Sequence, residues 1–424
     1  MAVPAQTIGN GAGTAESAYA WFRLVTSVLI GTIGSVGLWS YVVALPAVQA
    51  DFGVTRADAS LAYTLNMIGF GIGAVGIGGL VDRFGIVGPL TASTLVLSLG
   101  FIVSGFAPNL IVFALANLAI GVGSSGTFAP LMADISHWFT RRRGIAVAIC
   151  ASGNYFGGAI WPPIVQRLLE AGGWRHSQIV IGMVCLVTIL PLLVMLRRSL
   201  ATHEEEEGAV SAAGAHASIG LSPNVLFALL CIAGIACCVA MSMPQVHIVA
   251  YCSDLGYGVA RGAEMLSLML GFGIISRIAS GFIADRIGGL ATLLVGSVMQ
   301  AVALLLYAQF DGLTPLYIIS ILFGLFQGGI VPMYALVVRE YFPPRQAGTL
   351  VGLVITMSIL GMALGGWMSG AIFDLTGSYW QAFVNGFLWN LLNIAIALFL
   401  LLRRRTRVRR SMRASEGAAL QPAG

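Results

Sequence analysis

An arginine and a histidine lie within long apolar stretches of this sequence, where a charged side chain is costly. Arg277 is eight residues before Asp285, or about 12 Å from the end of a helix that runs to that aspartate. At this depth an arginine costs roughly 2.5–3.5 kcal/mol, and apart from Asp134 no acidic residue lies inside an apolar stretch. A guanidinium without a counter-ion can bind a carboxylate through two hydrogen bonds. Arg277 is therefore the first candidate for an anion ligand; the alternative is a structural arginine bonded to backbone carbonyls near Gly271 and Gly273.

Three other polar residues are candidates for the same site. His247 lies about 10 Å before the helix boundary that Asp254 marks, and Pro244 is expected to break the helix locally and free backbone carbonyls. A neutral histidine there can donate a hydrogen bond to a carboxylate or take up a proton, so His247 is also the candidate for proton coupling. Tyr334 and Asn154 either face the same site or hold helices together, and a helix–helix hydrogen bond is the alternative for His247 as well.

The composition indicates a membrane protein. Of the 424 residues, 58% are hydrophobic and 9% are charged, and the mean hydropathy is +0.90. Uncharged stretches are long enough to cross about 30 Å of hydrocarbon as helices. We predict an all-α membrane protein with twelve transmembrane helices in two six-helix bundles. The predicted helices lie at 24–48, 58–80, 86–106, 110–134, 144–166, 177–196, 223–250, 262–284, 290–309, 313–338, 347–370 and 379–402.

The same pattern divides the chain into five parts. A cytoplasmic tail (1–22) precedes the first bundle (23–196), and a cytoplasmic linker (197–222) contains an acidic run and small residues that cannot form a core. The second bundle (223–402) is followed by a basic cytoplasmic tail (403–424).

Arginine predicts the orientation, because the sequence contains no lysine. With twelve helices, seventeen of the twenty-two arginines lie on the side of the two termini, and this excess marks the cytoplasmic side. We predict a multi-pass protein of the plasma membrane, in bacteria the inner membrane, whose basic tail contacts membrane lipid and not nucleic acid. Neither a metal-ligand spacing nor a cofactor motif appears, so we expect no metal, no cofactor, no catalytic residue and no enzyme activity.

An internal repeat supports the division into two bundles. Asp82 and Asp285, Arg83 and Arg286, and the glycine that follows each pair differ by 203 positions. Two loops at equivalent places predict duplicated bundles with a site between them, which rocking of one bundle against the other would expose alternately.

These residues resemble a known family. The Gly-x-x-x-Asp-Arg-x-Gly pattern at 78–85, its repeat near 285 and the twelve-helix duplication resemble the major facilitator superfamily. Within it, the segments 138–144, 173–175, 244–247 and 271–277 are similar to the monocarboxylate transporters and the bacterial oxalate/formate antiporters.

The resemblance implies functions for several residues. It implies that the arginine of the eighth helix, Arg277, pairs with a substrate carboxylate and that His247 belongs to the site. It also implies that Asp82, Arg83, Asp285 and Arg286 form conformational latches; the alternative is that they cap helices and follow the charge bias of cytoplasmic loops.

The predicted function is secondary transport of a small organic anion by alternating access. The eleventh helix carries no charge here, whereas the antiporters have a lysine there, so a monocarboxylate is favoured over a dicarboxylate. Gly273 stands where animal monocarboxylate transporters have an aspartate, so proton symport and anion exchange both stay open. The predicted partners are a small carboxylate, protons in the symport case and lipid, and the chain is expected to work as a monomer. A drug or metabolite exporter of the same fold and a transporter-like receptor are the alternatives.

Overall fold

The structure is a computed structural model that describes residues 16–139, 142–197 and 219–419. These residues form helices joined by short turns. Most of the predicted linker (198–218) and parts of both predicted tails (1–15 and 420–424) lie outside the described residues. The division into five parts therefore stays a prediction.

The helices are numbered here in chain order, and we call α1–α7 the N-half and α8–α14 the C-half. The N-half contains α1 (Ala18–Gly34), α2 (Val36–Phe52), α3 (Arg56–Phe84), α4 (Val87–Gly105), α5 (Leu110–Gly126), α6 (Ala129–Trp138) and α7 (Arg143–Val194). The C-half contains α8 (Pro223–Asp254), α9 (Val259–Ile287), α10 (Gly289–Gln309), α11 (Leu313–Gln327), α12 (Ile330–Tyr341), α13 (Pro344–Thr376) and α14 (Tyr379–Ala419).

Eleven helical spans of the described residues are long and apolar enough to cross a membrane, when α1–α2, α5–α6 and α11–α12 are each counted as one span. The longest, α7, has 52 residues and would extend about 78 Å if it were straight. It is not straight, because Gly173 has φ 78° and ψ 176°, a conformation that is essentially confined to glycine. Before this break Gly157 lies against α1, and after it Gly182 lies against α4. The predicted helices 144–166 and 177–196 therefore both lie within α7, one on each side of the break.

Other predicted helices differ in continuity. The first, fourth and tenth predicted helices are each two shorter helices, which meet at Ser35, after Gly126 and after Gln327. In contrast, the predicted break at Pro244 is wrong, since α8 continues through this proline. All residues of α8 from 236 to 250 are buried, so packing on every side keeps this segment helical although proline removes one backbone hydrogen bond.

The internal repeat is visible in the helices themselves. Both α3 and α9 have 29 residues, and their first and last residues differ by 203 positions. In each half the second helix after this one, α5 or α11, lies against it through a glycine: a Cβ on Gly121 would overlap the carbonyl of Asn66, and one on Gly324 would overlap that of Met269. Both residues of each contact again differ by 203 positions. The two halves therefore repeat one packing arrangement.

The two halves meet mainly along α3 with α13 and along α7 with α9. At the predicted outer end of α3, Asp374 of α13 accepts hydrogen bonds from the backbone N–H groups of Arg56 and Ala57, at 2.9 and 2.6 Å. About two turns further along α3, Thr64 donates to the carbonyl of Ala363 at 3.0 Å.

Toward the predicted cytoplasmic end the same two helices separate. An added Cβ on Gly71 would still be 4.0 Å from Ile359, whereas one on Gly76, Gly78 or Gly79 would have no described neighbour within 4 Å. The halves are therefore in contact at the predicted outer side and apart at the predicted cytoplasmic side of α3.

Candidate functional site

Arg277 lies on α9 where this helix faces the N-half. Its side chain is half-buried, and its Nη1 donates to the carbonyl of Ala151 in α7, at 3.2 Å. Its Nε donates to the carbonyl of Gly328, between α11 and α12, at 3.4 Å. The guanidinium therefore connects both halves through two long hydrogen bonds, and Nη2 has no hydrogen bond among the described residues.

An aromatic ring covers one face of this guanidinium. Its central carbon lies 4.3 Å from the ring centroid of Tyr155 in α7, within the range of a cation–π interaction. Gly273, one turn before Arg277, leaves room for this ring, because a Cβ at this position would overlap the Tyr155 ring. The contact with this ring is therefore a physical reason for glycine at position 273.

Asn154 is bonded to a neighbouring helix, one of its two predicted arrangements, and its part in substrate binding stays a prediction. Its Oδ1 accepts a hydrogen bond from Nε1 of Trp39 in α2 at 3.2 Å, and it is adjacent to Tyr155. An added Cβ on Gly158 would lie 3.0 Å from that same Trp39 nitrogen. Tyr155 of α7 therefore contacts Arg277 directly, whereas Trp39 of α2 contacts the neighbouring Asn154.

Within the described residues, no carboxylate lies within 4.0 Å of the Arg277 guanidinium. The described ion pairs belong to other arginines: Arg23–Asp134, Arg56–Asp254, Arg175–Asp51 and Arg261–Glu264. Asp134, the one acid inside an apolar stretch, is held by the buried Arg23 at 2.6 Å. It is therefore paired elsewhere and is not the counter-ion of Arg277.

A buried pair of amides lies next to the arginine site. Gln245 of α8 donates to the side-chain oxygen of Gln327 at 3.0 Å. The residue after Gln327 is Gly328, whose carbonyl accepts a hydrogen bond from Arg277. The remaining amide atoms, Oε1 of Gln245 and Nε2 of Gln327, are both buried and have no hydrogen-bond partner among the described residues. Gln245 lies in the segment 244–247 of the family resemblance, but its pairing with Gln327 was not predictable, because the two glutamines lie on helices that are far apart in sequence.

His247 is not brought to Arg277. It is buried, with Nε2 at 2.8 Å from the carbonyl of Gly366 in α13 and Nδ1 at 3.3 Å from the hydroxyl of Tyr379 in α14. Its contacts belong to the C-half and share no residue with those of Arg277. The helix–helix hydrogen bond, the alternative of the sequence analysis, is the arrangement seen, while its proposed part in transport stays a prediction.

Tyr379 connects His247 to a cluster between the halves at the predicted outer side. Arg56 of α3 contacts the Tyr379 hydroxyl, pairs with Asp254 of α8 at 3.1 Å and donates to Gln49 of α2 at 2.5 Å. We call Arg56, Asp254 and Tyr379 the outer cluster. Arg56 is one of the five arginines that do not lie on the predicted cytoplasmic side, and its side chain is buried between the halves.

Tyr334 is buried and lies within the C-half. Its hydroxyl is 2.7 Å from Oδ1 of Asn393 in α14 and 3.0 Å from the carbonyl of Ala233 in α8. Asn393 in turn donates to Ser297 of α10 at 2.8 Å. These bonds hold helices of one half together, which is one of the two arrangements predicted for Tyr334.

The predicted latch residues are not seen in contact. Asp82 lies outside the described side chains, and Arg83, Asp285 and Arg286 are exposed, with no ion pair among the described residues. Two glycines follow these pairs, Gly85 with φ 73° and Gly288 with φ 84°, and each ends its helix. The loops therefore share one backbone geometry, and the latch stays a prediction.

Among the described residues, no group of three or more His, Cys, Asp or Glu could hold a metal ion. The six cysteines are free thiols, five of them buried and Cys231 partly exposed.

The described helices and their repeat define a multi-pass helical membrane protein. The family model of the Major Facilitator Superfamily matches residues 27–321 and 266–423, and the chain belongs to this superfamily of transporters. It is similar to monocarboxylate transporters: it is 26% identical over 387 residues to Monocarboxylate transporter 13 of Bos taurus, covering 91% of this chain and 88% of that protein.

Two further proteins are similar over most of the chain. The sialic acid transporter NanX of Escherichia coli (strain K12) is 26% identical over 337 residues, covering 75% of this chain and 78% of that protein. A crystal structure of a bacterial homologue of the human lysosomal transporter Spinster, in an inward-facing and unoccupied conformation, has a TM-score of 0.70 at 16% identity. It covers 93% of this chain and 99% of that one.

Proposed function

We propose that this protein is a secondary transporter of a small monocarboxylate that works by alternating access. The observation that carries the proposal is Arg277, whose guanidinium lies between the two halves and has no carboxylate partner among the described residues. A carboxylate from solution can replace its two long carbonyl contacts with short charge-assisted hydrogen bonds. Relatives named monocarboxylate and sialic acid transporters support an acidic substrate.

The topology belongs to the same proposal. We count α7 as two crossings, divided at Gly173, which gives twelve crossings in two bundles of six. Both termini are then on the cytoplasmic side of a plasma membrane. The helices of the two bundles would rock about the contacts of α3 with α13 and of α7 with α9.

One cation favours one carboxylate. Arg56 lies between the halves too, but it is paired with Asp254 and bonded to Gln49, so it is not available as a second anion ligand in this arrangement. Tyr155 adds aromatic surface next to Arg277, which fits an organic acid with a small apolar body. We include Asn154 as the polar ligand next to this surface.

The test is uptake of labelled carboxylates into proteoliposomes. Replacement of Arg277 by Ala is expected to reduce uptake of the transported acid at least about tenfold, because a charge-assisted pair contributes roughly 1.5–3 kcal/mol. Arg277→Lys keeps the charge but loses the planar fork, so an intermediate rate is expected. Arg261→Ala is the matched control, since Arg261 is on the same helix, pairs with Glu264 and is exposed.

The other functions give different results in the same experiment. An exporter of neutral compounds would transport them equally well with Arg277→Ala, and a receptor would bind the acid without flux. Equal uptake of every acid by wild type and Arg277→Ala would show that the anion ligand is wrong.

Proton coupling is tested in a second arm. If His247 carries the proton, a pH gradient drives uptake in wild type, whereas His247→Gln exchanges acid but does not respond to the gradient. Anion exchange predicts that uptake requires acid inside the vesicles and ignores the gradient in both proteins.

A further inference from the structure

A groove on the outside of the C-half combines an aliphatic wall with two arginines. It encloses about 710 Å³. Its wall includes Ile287 at the end of α9, Leu294 and Val295 of α10, and Leu401 of α14, and its rim includes Arg404 and Arg405. The wall faces outward from the helices, since half of the Val295 side-chain surface is exposed. In a membrane this wall contacts lipid and not water.

The two arginines lie at the depth of lipid headgroups. They belong to α14 at the point where its apolar stretch ends and the basic run that starts at Arg403 begins. Arginines at such an end lie at the boundary between hydrocarbon and water. Arg404 also lies against Gly288 at the end of α9. A Cβ added to this glycine would be 3.2 Å from Nη1 of Arg404.

Neither arginine has an acidic partner in the described part of the chain. Glu340 of α12, the acid beside this region, accepts a hydrogen bond from the backbone N–H of Gly289 at 3.0 Å and makes no described ion pair with Arg404. Their neighbour Arg403 differs, because its side chain donates to the carbonyls of Ile219 and Gly220, both at 3.1 Å. Two guanidinium groups therefore stay available at the rim of an apolar groove.

We propose that this groove is a binding site for an anionic phospholipid. The phosphate group lies between Arg404 and Arg405, and an acyl chain lies along Leu294, Val295 and Leu401. A free phosphate ion would satisfy the arginines but leave the aliphatic wall without a ligand. The positive charge of a choline headgroup would be repelled by the two arginines, so phosphatidylglycerol is preferred over phosphatidylcholine. The bound lipid would lie beside the loop that carries Asp285 and Arg286.

The experiment counts the lipids that remain on the purified full-length protein. The protein is reconstituted in equal amounts of phosphatidylglycerol and phosphatidylcholine, extracted under mild conditions and analysed by native mass spectrometry. Replacement of Arg404 or Arg405 by Ala is expected to lower the ratio of retained phosphatidylglycerol to phosphatidylcholine about fivefold for each arginine. Val295→Trp fills the groove, keeps both charges and is expected to lower phosphatidylglycerol retention as well.

Arg403→Ala is the matched control, with the same change of charge one residue earlier in the helix. A site at the groove predicts that this variant retains lipid like wild type. An equal loss in all three arginine variants would indicate diffuse attraction and overturn the site, and so would normal retention in Val295→Trp. Displacement of phosphatidylglycerol by millimolar inorganic phosphate would identify a soluble phosphate as the ligand and also overturn the proposal. Each variant is compared after gel filtration of the folded protein.

Discussion

At the scale of single residues, the charge of Arg277 is held by weak partners. Its two carbonyl contacts, at 3.2 and 3.4 Å, are longer than the 2.7–2.9 Å that is usual for a charge-assisted bond to an oxygen anion. The ring of Tyr155 at 4.3 Å contributes up to about 2 kcal/mol where water is excluded. This offsets part of the roughly 2.5–3.5 kcal/mol that an arginine costs in the apolar layer. A substrate carboxylate would provide the remaining stabilisation.

Under the proposed function, the ring of Tyr155 is therefore expected to affect substrate affinity. Tyr155→Phe keeps an aromatic face against Arg277, so the KM for the acid is expected to stay within about twofold of wild type. Tyr155→Leu removes the face and lets the guanidinium change position, and KM is expected to rise about fivefold, equivalent to about 1 kcal/mol. Initial uptake rates at several substrate concentrations measure both. Equal KM values for Phe and Leu would show that the ring does not position the arginine.

Some of these residues were predictable from the sequence and others were not. An arginine in an apolar stretch is costly wherever the helix goes, so Arg277 is visible in the sequence itself. Its partners are not, since the carbonyls it contacts are 126 and 51 residues away in the chain. For His247 and Tyr334 the sequence indicates burial but not direction. Packing rotates each helix, and it turns both side chains toward neighbouring helices of the C-half.

At the scale of helices, the sequence predicted where most helices lie, but it did not predict that three of them are divided into two shorter helices. Hydropathy finds apolar stretches because each must match the bilayer thickness. It also finds the interruption between 166 and 177, where α7 breaks at Gly173, because Arg167, Glu170 and Arg175 divide the apolar stretch there. It does not detect the division at Ser35, which has no charged residue beside it. The displacement of 203 positions was predictable from the Asp-Arg loops, and the equal lengths of α3 and α9 extend it to whole helices.

Gly173 is expected to be necessary for the break in α7. Its φ of 78° and ψ of 176° are unfavourable for any side chain, so Gly173→Ala should cost about 1–3 kcal/mol of stability. Thermal unfolding in detergent is expected to show a lower Tm. Gly76→Ala is the control, because Gly76 is inside helix α3 and an added Cβ meets no described neighbour. Its Tm should be unchanged or slightly higher, since alanine is the better helix former. A Tm for Gly173→Ala equal to wild type would show that the break does not depend on glycine.

At the scale of the whole molecule, the outer cluster joins the two halves where they are in contact. Arg56 of the N-half reaches Asp254 and Tyr379 of the C-half, and Asp374 caps the start of α3 from across the same gap. At the other end, α3 and α13 are apart near Gly76. Under the proposed mechanism these contacts must break before the site opens to the outer side, so they stabilise the conformation described here.

Loss of the Arg56–Asp254 pair should therefore favour the outward-open conformation. Asp254→Asn removes the charge and keeps a similar shape. Asp254 is partly exposed, with 35% of its side chain accessible against 6% for Arg56, so a cost of about 1 kcal/mol is expected for the closed outer side, or about a fivefold change in population. Distances between spin labels at Pro108 and Asp311, in loops of the two halves, measure this population in liposomes. Replacement of the partly exposed Cys231 removes the native thiol that would most easily react.

The control changes the same charge on the same side without crossing between the halves. Asp51 pairs with Arg175 at 2.7 Å, and both belong to the N-half, so Asp51→Asn should leave the distance distribution as in wild type. If Asp254→Asn produced no longer-distance population, or if Asp51→Asn produced the same one, the outer cluster would not hold the halves together. Tyr379 also contacts His247, and both belong to the C-half, so this contact is expected to remain when Arg56 separates from Tyr379.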